Sequence, residues 1–150
     1  MILCDVNVLI YAHREECERH DEYREWLEGV MRGGSAYGVS DLVLSGCLRI
    51  LTHPRIFDPP TPAPTAMAFV RQLREDIHAV VISPGPRHWG IFTKLCEKSE
   101  ARGNIVADAY LAALAIESGS EWISTDRDYA RFPGLRWRHP LEAPRVRRPE

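Results

Sequence analysis

Little in this chain of 150 residues points to the common cofactor or nucleophile chemistries. There is no GxxxxGK[ST] phosphate loop, no GxSxG elbow and no GxGxxG turn, which removes the sequence grounds for a P-loop nucleotide site, a serine-hydrolase triad or a dinucleotide site. The four cysteines, Cys4, Cys17, Cys47 and Cys96, include no CxxC pair. Reduced cysteines in a cytoplasmic protein are expected, rather than disulfides or a thiolate zinc site. The histidines (His13, His20, His53, His78, His88 and His139) show no HxH or HExxH spacing and read as surface or packing residues. Asp5 interrupts the N-terminal apolar residues at once, so neither a secretion signal nor a membrane span is expected. Internal repeats and low-complexity segments are lacking too.

Charge of one sign is also missing. The net charge of −2 excludes a molecule that is basic overall and binds nucleic acid by bulk attraction. Only the stretch 131–150 departs, with six arginines against Glu142 and Glu150, a net of +4. That segment could touch phosphates or be a solvated, frayed end. What remains is ordinary globular material, 45% hydrophobic and 27% charged. The length favours one domain over 1–150, with a basic tail from about residue 142. About two thirds of the unfolded surface can be buried at this size.

The hydrophobic pattern alternates between short apolar runs and longer helical stretches. Met1–Val6 reads as a buried first strand, followed by a helix to about Met31 with Tyr23, Trp26, Leu27 and Val30 on one face. Gly33 and Gly34 stop it. Ala36–Val39 reads as a second strand, and Ser40 caps a helix to about Thr52. The proline-rich stretch His53–Pro64 is a loop. A helix from about Thr65 to Asp76, a strand at Ala79–Ile82, a helix from Pro86 to about Ala101 and another, capped by Asn104, to about Ser118 follow. Trp122–Ser124 and Leu135–Trp137 complete the strands. This order predicts an α/β/α sandwich around a mainly parallel sheet, with the site at the carboxyl ends of the strands.

Three acids are distinguished by their setting. Asp5 ends the first strand, Asp126 follows the fourth, and Asp108 lies in the apolar helix Ile105–Ile116. A buried carboxylate at Asp108 would cost several kcal/mol unless it were paired or metal-bound, and no Lys or Arg lies within a helical turn. The ends of parallel strands share one edge, so the three acids can converge. Converging carboxylates repel and raise each other's pKa, which a divalent cation resolves. Oxygen ligands suit Mg²⁺, or Mn²⁺ in its place, and such an ion activates water for attack on a phosphodiester. Asn7 and Thr125 are candidate supporting residues, with a helix cap and a turn as the plainer alternatives, and Asp128 is a reserve ligand. Arg14, Arg49, His53, Arg55 and Arg127 are candidates for the phosphate backbone by nearness in sequence.

These residues resemble the PIN-domain family, in its VapC-like toxin branch. The run 5–11 (Asp-Val-Asn-Val-Leu-Ile-Tyr) is similar to the family's first acidic motif, the run 103–115 to its third, and the run 124–129 (Ser-Thr-Asp-Arg-Asp-Tyr) to its fourth. Phe132–Trp137 resembles its final strand, and the likeness spans Met1 to about Leu141. It implies Mg²⁺-dependent cleavage of RNA, often tRNA or ribosomal RNA, with Asp5, Asp108 and Asp126 as the catalytic and metal-binding residues. It also implies homodimers and inhibition by a cognate antitoxin. One departure is plain: the family's second acid, a glutamate, is replaced by Gly46, and Asp41 is the nearest acid, more than a turn away. Two other readings stay open. Asp5 could be a phosphorylated nucleophile as in haloacid-dehalogenase-like phosphatases, or the domain could bind RNA or a partner without cleaving it.

Overall fold

Residues 1–143 are described by a computed structural model, so the arginines at 145, 147 and 148 of the basic segment lie outside the described residues. Five short strands form one sheet: β1 (Ile2–Cys4), β2 (Tyr37–Val39), β3 (Ala79–Val81), β4 (Glu121–Ile123) and β5 (Trp137–Arg138). Their order is β3-β2-β1-β4-β5 and every pairing is parallel. Six helices flank it: α1 (Val6–His13), α2 (His20–Arg32), α3 (Asp41–Leu51), α4 (Ala63–Glu75), α5 (His88–Ser99) and α6 (Asn104–Ser118). A short 3-10 turn spans Arg127–Arg131. This is the α/β sandwich that the alternating pattern predicts.

The central strand β1 pairs with both β2 and β4, and its Leu3 is fully buried, as are Trp122 and Ile123 of β4. Covered on both faces, these strands carry apolar runs instead of alternation. The register sets Cys4 beside Ile123. The next residue on each chain, Asp5 and Ser124, therefore leaves the sheet at the same edge.

One boundary differs from the sequence expectation. The single helix expected from residue 6 to about 31 is two helices, α1 and α2. Neither proline nor glycine stands between them; tertiary contacts hold the break open. Arg14 donates to Thr61 Oγ1 (3.1 Å) and to the Pro59 carbonyl (3.0 Å), and its guanidinium lies 4.3 Å from the Phe57 ring centroid. Arg19, just before α2, takes a left-handed backbone conformation. The remaining elements differ from expectation by at most two residues at their ends, where assignments shift readily. The proline-rich loop gives way to α4 at Ala63, with Pro64 in its first turn. Among the described residues no helix is long and apolar enough to cross a membrane, and the four cysteines are unpaired. His20 and His88 are buried, with a ring nitrogen against the carbonyls of Tyr11 (2.8 Å) and Tyr110 (3.0 Å), so these two are packing residues.

Candidate active site

Asp5 sits where β1 becomes α1 and caps that helix. Its Oδ1 accepts the Val6 N–H at 2.7 Å, which suits a negative group at the positive end of a helix. Its Oδ2 accepts the Ser124 hydroxyl at 2.7 Å. Ser124 is fully buried, and its oxygen in turn accepts the Asp126 N–H at 3.0 Å. Asn7, one turn-step into α1, donates its amide to Ser124 Oγ (3.5 Å) and accepts the Thr125 N–H (3.4 Å). The ends of β1 and β4 are thus tied together by one small polar network.

Asp5 is 8% exposed, and no cation is bonded to it among the described residues. Burial pushes its carboxyl up to about 6, against the pull of the Ser124 and Val6 hydrogen bonds. The charges of Asp108 and Asp126 add to that rise. Asp108 is also raised, first by burial and then by Asp126, while the Tyr129 hydroxyl, donating at 3.2 Å, pulls it down. Electrostatically the three acids form one group, drawn from β1, α6 and the end of β4.

Asp108 is half-buried, not buried as the apolar helix suggested. The first turns of α6 leave Val106 and Ala107 exposed along an open cleft. That cleft is lined by Val6, Leu42, Phe92, Val106, Ala107 and Tyr110. It runs past the chain neighbours of both Asp5 and Asp108. Asp126 accepts the Asp128 N–H at 2.9 Å and caps the 3-10 turn, while Asp128 itself is exposed and faces Arg131 at 3.8 Å. Thr125 enters the network through its backbone N–H.

Asp41 does not join the group. Arg74 donates to both of its oxygens, at 2.7 and 3.2 Å, and holds its carboxyl below the usual range. A Cβ on Gly46 would lie 3.2 Å from Val6 Cγ2, on the residue that follows Asp5. Arg14 is tied to Glu16, Thr61 and Pro59, and Arg127 to Glu142 at 2.8 Å. Arg14 also lies at the far end of α1, about 13 Å along the axis from Asp5 at 1.5 Å per residue. Nearness in sequence is therefore a poor guide to nearness in space here. Sequence reasoning gave Ser124 and Tyr129 no role, although both stand in the run 124–129; the β1–β4 register was the signal needed to find Ser124.

Whether the group suits a divalent ion can be tested on its chemistry. Among the described residues no group of three or more His, Cys, Asp or Glu side chains is placed to hold a metal ion as it stands. The donors are all oxygens, Asp5 is uncompensated by any bonded cation, and the site is open on the side of Asp108. That fits an ion that keeps several waters and takes few protein ligands, as Mg²⁺ does.

The model of the PIN domain matches residues 2–135, nearly the whole described chain. The chain belongs to the PIN-domain family. Ribonuclease VapC43 of Mycobacterium tuberculosis is 44% identical over 142 residues, covering 95% of this chain and 97% of its own. Ribonuclease VapC25 of the same organism is 40% identical, covering 91% and 96%. A similar fold, at 16% identity and a TM-score of 0.67, occurs in the structure of VapBC2 from Rickettsia felis bound to a promoter DNA fragment, covering 93% of this chain and 98% of that one. Mycobacterium tuberculosis VapC20, a toxin that cleaves the sarcin–ricin loop, has a TM-score of 0.64 at 16% identity, covering 91% and 99%. This PIN domain is an endoribonuclease of the VapC toxin kind, and that membership replaces the phosphatase reading of Asp5.

Proposed function

We propose that this ribonuclease cleaves structured RNA, with tRNA and ribosomal RNA as the first classes to test, at a Mg²⁺ site formed by Asp5, Asp108 and Asp126. The observation that carries the reading is the buried Asp5 carboxylate, bonded to no cation and flanked by two further acids whose charges reach it. Folding leaves that repulsion in place, and a divalent ion from solution relieves it. When bound, the ion polarises water and offsets the charge of the phosphodiester.

Asp5 and Asp108 would hold the ion, and Asp126 would complete the set directly or through water, with the outward-facing Asp128 in reserve. Ser124 fixes Oδ2 of Asp5, and Asn7 braces Ser124 and the backbone of Thr125. Gly46 supplies no ligand, so the acids from β1, α6 and the β4 end must suffice. We place the RNA strand along the open cleft between α3, α5 and α6, which passes Val6 and Ala107, the chain neighbours of Asp5 and Asp108. We carry in the same reading a single domain over the chain, a homodimer, a cytoplasmic setting and a cognate antitoxin. The antitoxin is supported by fold neighbours solved as VapBC complexes.

The test is cleavage of a total tRNA and ribosomal RNA preparation with and without Mg²⁺. Asp108→Asn is expected to abolish Mg²⁺-dependent cutting while circular dichroism stays unchanged. Cutting at the parental rate by that variant, or full activity in a chelator, would refute the metal site. RNA binding without any cutting at saturating Mg²⁺ and Mn²⁺ would instead indicate a domain that only binds RNA.

A further inference from the structure

Tyr129 has no place in the reading above, yet its position is unusual for a core aromatic. Its ring is buried, 2% exposed, between Trp122 of β4 (centroids 5.4 Å apart) and Phe132 (5.9 Å). The backbone around it is a short 3-10 turn whose cap is Asp126. Its N–H donates to the Asp126 carbonyl at 3.4 Å, and its own carbonyl accepts the Phe132 N–H at 3.2 Å. With the ring fixed on both sides, the hydroxyl has one described partner, Asp108 Oδ1 at 3.2 Å. A phenol pinned by packing is a rigid donor, with no loose side chain to order when it bonds.

Asp108 needs such a partner. It is only half-buried on α6. No residue of α6 itself holds its carboxylate; the one described hydrogen bond comes from the turn that also carries Asp126. We propose that Tyr129 is a positioning residue: it holds one oxygen of Asp108, leaves the other for the ion, and so sets the metal affinity of the site. The inference rests on the proposed metal site. It adds that the turn Arg127–Arg131 aligns two acids at once, Asp126 by capping and Asp108 through the Tyr129 hydroxyl. Hydrogen bonds to ligating carboxylates orient them, and removing such a partner commonly weakens metal binding 10- to 100-fold.

The experiment is calorimetric titration of Mn²⁺ into the full chain, comparing the parent, Tyr129→Phe and Asp108→Asn. Tyr129→Phe keeps the ring and deletes only the hydroxyl. It should bind Mn²⁺ about tenfold more weakly than the parent. The Mg²⁺ concentration for half-maximal RNA cleavage should rise by the same factor, with the rate recovering at saturating Mg²⁺. A purely packing role for Tyr129 moves neither quantity. Unaltered Mn²⁺ affinity in Tyr129→Phe, beside lost binding in Asp108→Asn, would overturn this inference and leave the metal site standing. A parent that binds no Mn²⁺ would overturn both. Should Tyr129→Phe fold poorly, the manganese-bound structure of the parent decides. The Tyr129 hydroxyl within hydrogen-bond distance of the Asp108 oxygen that is off the metal supports the proposal, and a hydroxyl turned away from Asp108 defeats it.

Discussion

Two neighbouring junctions in the sheet treat an acid in opposite ways. At β1–α1, Asp5 is buried, capped by a backbone N–H and a serine hydroxyl, and left without a bonded cation. At β2–α3, Ser40 caps the helix, and the acid beside it, Asp41, is exposed and gripped by Arg74 on both oxygens. Burial pushes the Asp5 carboxyl up, and the ion pair holds the Asp41 carboxyl down. An acid neutralised inside the fold has little left to offer a ligand. One held ready and uncompensated has a binding energy that only a cation from outside can realise. Under the proposed metal site, the difference separates a structural acid from a functional one more sharply than sequence position does, since both follow a strand.

The largest effect expected from this contrast is on cleavage. Asp5→Asn should lower the rate of Mg²⁺-dependent RNA cutting by about a hundredfold or more, on the scale of removing a charged group from a reaction centre. Rates measured under single-turnover conditions check this. A rate close to that of the parent would erase the distinction between the two junctions.

Next is the response to metal and pH. Burial pushes the Asp5 carboxyl from an ordinary 3.8 up to about 6, so the native state keeps its proton longer than the unfolded chain does. Metal-free stability should therefore fall as pH rises from about 4 to 6, and the penalty is fully present above that window. Mn²⁺ competes with that proton, so its stabilisation should be largest at neutral pH and fall to about half near pH 5. At a hundredfold excess over Kd it contributes about 2.7 kcal/mol, or roughly 5–10 °C in Tm for a chain of this size. Thermal melts with and without Mn²⁺ across pH 5–8 measure it, and a shift independent of pH would place the ion elsewhere.

A smaller effect runs in the opposite direction. Without metal at neutral pH, Asp5→Asn should stabilise the fold by about 1–3 kcal/mol, because the raised carboxyl corresponds to roughly two pK units at 1.36 kcal/mol each. Urea unfolding in a chelator reads this directly. Destabilisation would mean that Asp5 serves the fold more than the site. The smallest effect belongs to Asp41→Asn, an exposed ion pair by comparison, which should leave both cleavage and Tm within error of the parent.

Most of the fold was legible because its strands are short apolar runs and its helices carry clear stops. Ser40 caps α3 as its sequence suggests, and Gly119, with φ +68°, ends α6. The break between α1 and α2 was not legible, since Arg14 makes it through Thr61, Pro59 and Phe57, forty-odd residues away in sequence. At the site, Asp5 and Asp126 were readable from the rule that strand ends share an edge. Asp108 was readable as an acid in an apolar helix, although it is half-buried and not buried as that helix suggested. Ser124 required the pairing of Cys4 with Ile123, and Tyr129 required knowing which way a 3-10 turn points its third residue. Both are facts of register and turn geometry, to which residue type gives no access.

Anomalous diffraction from a manganese-soaked crystal tests the central claim most directly. A single strong peak is expected between the carboxylates of Asp5 and Asp108, with Asp126 in its first or second coordination shell and no density at Asp41. An empty space between Asp5 and Asp108 at saturating manganese, or a peak held by other residues, would contradict it.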